Sequence, residues 1–228
     1  MKIQMYDLAG TESERRFSPF CWRIKLALAH KQLDFETIAW RFHDKPLIAF
    51  ANWERVPVIV DHGKPVVDSW KIATYLEQTY PTRPSLFAGS VGLSRFYNQW
   101  ADLVVNPALL PFAILDVVDH LGPEDRTYFR QTRESRFGMT LEEFAKDRES
   151  RLPAFTKLLE PLRQTLASQP YLGGDSPLYA DYIIFGTLMW PRSISRMRLI
   201  DPADPINAWS ERMLDDNGAI ARNAPRYW

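Results

Sequence analysis

Ser18, Pro19, Phe20 and Cys21 place a hydroxyl and a thiol three residues apart, about one helical turn. Serine is a favoured N-cap, and a proline at the next position fits the first helical turn, where its missing N–H costs nothing. The apolar residues that follow, Ile24, Leu26, Ala27, Leu28 and Ala29, supply the helix. A strand-like run, Lys2 to Leu8, precedes it across a polar loop. Ser18 is therefore expected at a helix N-terminus, where free backbone N–H groups and the positive dipole end favour an anion. A thiolate is such an anion. A plain helix cap is the alternative reading of the same residues. Cys21 lies one turn into the helix and is expected to face the core, as free cysteines often do.

The elements around this stretch alternate. Phe35 to Trp40 reads as a second strand, and a strand, a helix and a strand over about 40 residues point to a parallel βαβ unit. Residues 41–54 read as an irregular or helical connection. Val56 to Val60 reads as a buried strand whose Pro57 belongs at its start or on an edge, with a cis Val56–Pro57 bond as one option. Asp61-His62-Gly63-Lys64 is a turn, Pro65 to Val67 returns antiparallel, and Asp68 or Ser69 caps the helix that opens at Trp70.

Beyond this point the pattern is helical. Pro81, Pro84 and Gly89 mark an interdomain linker, placed at residues 83–92 between a domain at 1–82 and one at 93–228. Phe96, Trp100, Leu103 and Val104 recur at helical spacing, and Pro107 and Pro111 are expected to break or bend that run. Thr140 with Glu143 forms a capping box, and Phe155, Leu158, Leu159, Leu162 and Leu166 form one apolar face. Tyr182 to Trp190 is apolar all round and should be the central buried helix. Asp204-Pro205 opens a last helix that stops at Asn217-Gly218.

Composition narrows the function classes. Lysine and arginine number 28 against 28 aspartate and glutamate, so no net field draws the chain to nucleic acid or an anionic membrane. No stretch of about 18 uncharged apolar residues is apparent as a membrane span, and the amino terminus does not read as a signal peptide. One cysteine excludes an internal disulfide and fits a reducing compartment, so a cytoplasmic protein is expected. The histidines at 30, 43, 62 and 120 lack metal-ligand spacing, so no metal is expected. No glycine-rich phosphate loop or Ser-His-Asp arrangement stands out.

The order β-α-β-(α)-β-β-α is thioredoxin-like. Ser18-Pro19-Phe20-Cys21 resembles a glutaredoxin-type motif whose first cysteine has become serine. With Val56-Pro57 and Asp68-Ser69 at their spacings, the chain resembles the serine-type glutathione transferases. Ser18 to Leu28 and Arg55 to Tyr80 are similar to the bacterial β-aryl-etherase type and its fungal relatives, as are Asp125-Arg126 on to Arg136 and Asp147 to Pro153. The resemblance implies an α/β thioredoxin-like N-terminal domain joined to an all-α C-terminal bundle, a homodimer, and glutathione as co-substrate. It implies that Val56, before the cis-proline Pro57, pairs with the cysteinyl backbone. Ser69 would take the γ-glutamyl carboxylate, and Asp68 the ammonium. Arg55, or else His43 or Lys45, would meet the glycyl carboxylate. Phe20, Trp100 and Phe112 are candidates for the apolar co-substrate pocket. That family usually opens its central helix with a Ser/Thr-x-x-Asp box; Asp181 is present, but Leu178 stands at the capping position, which puts local stability in question.

In this reading Ser18 donates to the thiolate and is not itself the nucleophile. A hydrogen bond to a charged group contributes roughly 1.5–3 kcal/mol, and with the helix dipole would bring a thiol pKa from about 8.5 to about 7. The expected activity is transfer of glutathione to an electrophilic, aromatic or aryl-ether co-substrate. A non-catalytic glutathione or apolar-ligand binding protein and a thiol reductase acting through Cys21 are the rival readings.

Overall fold

The computed structural model describes residues 2–228. Strand β1 (Ile3–Leu8) sends Ile3, Met5 and Asp7 to its buried face, the period-two pattern of a strand. Helix α1 (Pro19–His30) follows, and strand β2 (Phe35–Trp40) returns parallel to β1 with Ile3 opposite Phe35 and Leu8 opposite Trp40. A 3₁₀ segment, Phe42–Ala51, fills the connection that reads as irregular or helical in the sequence. Strands β3 (Val58–Asp61) and β4 (Lys64–Val67) form a hairpin whose turn residues, His62 and Gly63, both have positive φ, as its tight turn requires. The sheet order is β2-β1-β3-β4, with β3 antiparallel to both neighbours. Strand β3 starts two residues later than the sequence pattern indicated, because Pro57 lacks an N–H for the ladder and restricts Val56 before it. The Val56–Pro57 bond is cis. Helix α2 (Ser69–Thr79) then opens on Asp68 as N-cap.

Glu77 of α2 pins the following linker, accepting from the Leu86 N–H at 3.0 Å and pairing with Lys31 at 2.7 Å. Helix α3 (Val91–Trp100) and helix α4 (Asn106–Asp119) are joined without interruption by a π-helical stretch, Ala101–Val105. Of the break or bend expected at Pro107 and Pro111, the break does not occur. The wider register, with Asn106 N–H bonded to the Ala101 carbonyl, sits immediately before Pro107 and carries the helix past a residue that cannot donate. The run from Val91 to Asp119 is long and apolar enough to cross a membrane by length and composition, yet Arg95, Asp102 and Asp116 interrupt it, so no uncharged stretch of 18 residues arises, and half of its most apolar window is buried inside the protein.

Helix α5 (Pro123–Phe137), the short α6 (Leu141–Phe144) behind its Thr140–Glu143 capping box, α7 (Leu152–Leu158) and α8 (Glu160–Ser168) continue the layer. The single apolar face expected from Phe155 to Leu166 is split at Leu159, where Pro161 starts a new helix. Helix α9 (Tyr179–Ile194) is the central helix, with fifteen of its sixteen residues buried. Its missing side-chain cap is compensated by Asp181, which accepts from the backbone N–H groups of Leu172, Gly173 and Leu178 at 2.7, 2.9 and 3.0 Å and from the Trp209 indole at 2.9 Å. Helix α10 (Pro205–Ala219) leaves helical geometry at Asp216, Asn217 and Gly218, next to the stop signal in the sequence. Helix α1 lies between the sheet and α9, which explains why it is buried on nearly every side.

Candidate active site

Three segments meet at one end of the sheet, beyond its two central strands. β1 ends at Leu8, whose backbone lies beside the Cys21 side chain of α1. Tyr6 pairs with Val58, so continuing that register brings Val56 to the end of β1, and Val58 in turn pairs with Val67, directly before Asp68 and Ser69. The topology therefore gathers Ser18, the Val56–Pro57 turn and the Asp68-Ser69 helix start. Two helix N-termini, those of α1 and α2, open there, and such ends attract anionic groups.

Ser18 is 4% exposed, and its Oγ accepts the Cys21 N–H at 3.2 Å. That bond uses a lone pair; the hydroxyl proton, which has the Cys21 sulfur as its neighbour, can turn to an anion bound at the helix start. Cys21 is fully buried, and burial pushes its thiol far above the ordinary range, with the Asp7 carboxylate adding to the effect. A thiol kept protonated in the core is a poor nucleophile, which counts against redox chemistry at Cys21. Asp68 holds φ at +71° while its Oδ1 accepts the Lys71 N–H at 3.1 Å. Ser69 is nearly buried, and its carbonyl accepts the Tyr179 hydroxyl at 3.1 Å, fastening α2 to α9.

Of the three groups considered for a glycyl carboxylate, two are engaged. His43 donates its backbone N–H and presents Nδ1 to the same Asp125 oxygen, at 2.9 and 2.8 Å, and Lys45 pairs with Glu54 at 3.1 Å. Asp125 raises the His43 pKa through that hydrogen bond. Arg55 has no carboxylate partner among the described residues, and it lines a cavity of about 540 Å³ with Lys45, Asn52 and Trp53.

The aromatic candidates divide. Phe20 is 36% exposed with the Arg23 guanidinium 4.7 Å from its ring, and Arg23 reaches across to Asn98 at 3.2 Å and Asp102 at 2.8 Å. Trp100 is half-buried, edge-on to Tyr97. Phe112 is a correction: it is 1% exposed and packs on Phe155 at 5.5 Å in the helical core, since α4 turns that side of its stripe inward. Sequence reasoning missed Tyr179 and Arg23 as contacts that seat the site on the helical layer. One signal was available. Gly186 stands alone among the large residues of α9, and a Cβ there would lie 2.7 Å from the Pro19 carbonyl, so α9 approaches the start of α1 at backbone distance. Among the described residues no cluster of three or more His, Cys, Asp or Glu is arranged to hold a metal.

Residues 92–210 match the family model for the glutathione S-transferase C-terminal domain, and residues 17–79 match its N-terminal counterpart. The chain belongs to the glutathione S-transferase family. The transferase is 28% identical over 210 residues to a probable glutathione S-transferase of Oryza sativa subsp. japonica, covering 86% of this chain and 80% of the relative. It is also similar to a glutathione S-transferase of Ceriporiopsis subvermispora solved in complex with glutathione, at 25% identity and TM-score 0.77, covering 97% of this chain and 94% of the other. The glutathione transferase GSTFuA3 of Phanerochaete chrysosporium gives TM-score 0.76 at 25% identity over the same shares. The thioredoxin-like sheet and the helical layer of the transferase follow the architecture of these neighbours.

Proposed function

We propose that this transferase binds glutathione at the end of the sheet where Ser18, Val56 and Ser69 meet, and that it transfers the thiolate to an electrophilic aromatic co-substrate, aryl ethers included. The observation that carries this is the Ser18 hydroxyl at the start of α1, its acceptor side occupied by Cys21 N–H and its proton able to turn from the Cys21 sulfur to the ligand. Val56 pairs backbone to backbone with the cysteinyl residue, next to Pro57. Ser69, at the start of α2, receives the γ-glutamyl carboxylate, and Asp68 the ammonium. Arg55, the unpaired cation of the three candidates, takes the glycyl carboxylate. The thiol proton passes to solvent, the thiolate sulfur bonds to the electrophilic carbon, and the leaving aryloxide or halide departs with the electron pair of the broken bond.

Steady-state conjugation of 1-chloro-2,4-dinitrobenzene, and cleavage of an aryl ether that releases a fluorescent phenol, test the reading. We expect turnover by the wild type and a fall in kcat/KM of about a hundredfold in Ser18→Ala, the scale of one lost donor to developing charge. Equal activity of the two proteins would remove Ser18 from the chemistry. No ether cleavage beside active halide conjugation would restrict the co-substrate class.

A symmetric dimer is part of the same proposal. Leu93, Phe96 and Leu103 are 52%, 64% and 70% exposed and lie along one side of α3 and its π-helical extension, which supports burial of that side in a second copy. Sedimentation equilibrium should give a dimer for the wild type and a monomer for Phe96→Asp combined with Leu103→Asp; a wild-type monomer would overturn this part. The single, buried cysteine supports a reducing, cytoplasmic setting, which fractionation of the source cells tests directly.

A further inference from the structure

Helix α5 carries charge that neither the fold nor the proposed glutathione contacts use. Phe129, Arg133 and Arg136 follow at intervals of four and three, one face of the helix. Arg130, on the same helix, is paired with Glu134 at 3.2 Å and Glu142 at 2.6 Å. Arg133 and Arg136 face no carboxylate within ion-pair distance among the described residues. The Arg133 guanidinium donates to the hydroxyl of its neighbour Thr132 and lies beside that of Tyr128, neither of them a counter-ion. The guanidinium lies 4.5 Å from the ring of Phe129 and 5.2 Å from that of Phe42, which belongs to the 3₁₀ segment of the other layer. Tyr128 extends this aromatic floor toward Lys45, whose ammonium lies 5.1 Å from its ring and which lines the cavity shared with Arg55.

A half-buried guanidinium without a counter-ion is costly, and here it is crowded as well. Burial, with Arg136 and Arg55 near enough to repel it, disfavours the charged form of Arg133. The glycyl carboxylate assigned to Arg55 neutralises one positive charge, which leaves Arg133 and Arg136 uncompensated. A planar guanidinium on an aromatic floor is suited to an anion attached to an aromatic ring, by bidentate hydrogen bonding on one side and stacking on the other.

We propose that the half-buried Arg133, on the aromatic floor where α5 packs against the 3₁₀ segment, and the exposed Arg136 beside it form a carboxylate subsite for the co-substrate, selecting aromatic electrophiles that carry an acid group. This rests on the glutathione-transfer reading above and names the substrate class of that site. The reaction is unchanged: the thiolate sulfur bonds to the ring carbon, the leaving group takes the electron pair of its bond, and the acid group stays ionised throughout.

Binding of unreactive probes separates the subsite from turnover. The affinities of 3,5-dinitrobenzoate and 1,3-dinitrobenzene are measured by tryptophan fluorescence quenching, at low ionic strength with saturating glutathione. The wild type should bind the acid about tenfold tighter than the neutral compound, the scale of one charge-assisted contact. That preference should drop to near unity in Arg133→Gln and in Arg136→Gln and be largely kept in Arg133→Lys, whose folding and cationic charge are both preserved. Equal affinities in the wild type overturn the proposal, as does a preference that survives both glutamine variants. Competitive displacement of the acid by glutathione would overturn it too, because the carboxylate held there would then be the glycyl one. Turnover of 4-chloro-3,5-dinitrobenzoate is read separately. Its absence beside acid-selective binding would count against the thiolate chemistry and leave the subsite standing.

Discussion

At the scale of single residues, the site depends on groups whose hydrogen-bonding capacity is only partly spent. Ser18 accepts from Cys21 N–H and keeps its proton, whereas His43 and Lys45, of suitable type for an anion, are already engaged by Asp125 and Glu54. Asp181 is the opposite case, a buried carboxylate with three backbone donors and one indole donor. Replacing it with alanine strands those donors, so Asp181→Ala should lose about 3 kcal/mol of stability in denaturant unfolding. A loss below about 1 kcal/mol would mean that water or local rearrangement satisfies them. The sequence identified Asp181 as half of a capping box, and Leu178 as the missing half. It did not show that the loop at Leu172 and Gly173 folds back onto the same carboxylate, because that contact depends on tertiary placement.

Among elements, the decisive contact is α9 against α1. Gly186 lets the two backbones meet beside Pro19, one residue from Ser18. Gly186→Ala would place a methyl 2.7 Å from the Pro19 carbonyl oxygen, which the backbone cannot yield cheaply. Overpacking of this kind costs typically 1–3 kcal/mol. The variant should therefore show a lowered melting temperature together with a raised KM for glutathione, as the start of α1 is displaced. A lowered melting temperature with unchanged glutathione affinity would confine Gly186 to stability. The strands were legible in the sequence because alternation and β-branched residues mark them, and so were α1, α2 and α9, whose caps or apolar runs are strong local signals. The elements that departed share one cause. At Pro57, Pro107 and Pro161 a proline acts on its surroundings through geometry that differs by context: it delays a strand, is carried through a helix by a π turn, and starts a new helix. Phe112 was misplaced because helical spacing shows that a face is apolar without showing which partner covers it.

Across the whole molecule the two layers are joined at several points, among them Arg23 with Asp102, Tyr179 with Ser69, and His43 with Asp125. The last should make the junction sensitive to pH. The hydrogen bond to Asp125 raises the folded pKa of His43 above its unfolded value near 6.5. The stabilisation is then fully present below about pH 6.5 and is lost as pH rises through the folded value. Melting temperatures between pH 5.5 and 8.5 should fall in the wild type relative to His43→Gln as the medium becomes more basic, and parallel profiles would contradict this.

The central claim is that Ser18 holds bound glutathione as its thiolate, and an ultraviolet difference titration of glutathione on the wild type and on Ser18→Ala tests it most directly. The account predicts a thiolate absorption band at neutral pH on the wild type, and its displacement to higher pH in the variant by about one to two pH units, the worth of one hydroxyl donor. A bound thiol that titrates identically in both proteins, or that stays protonated at neutral pH in the wild type, would contradict it.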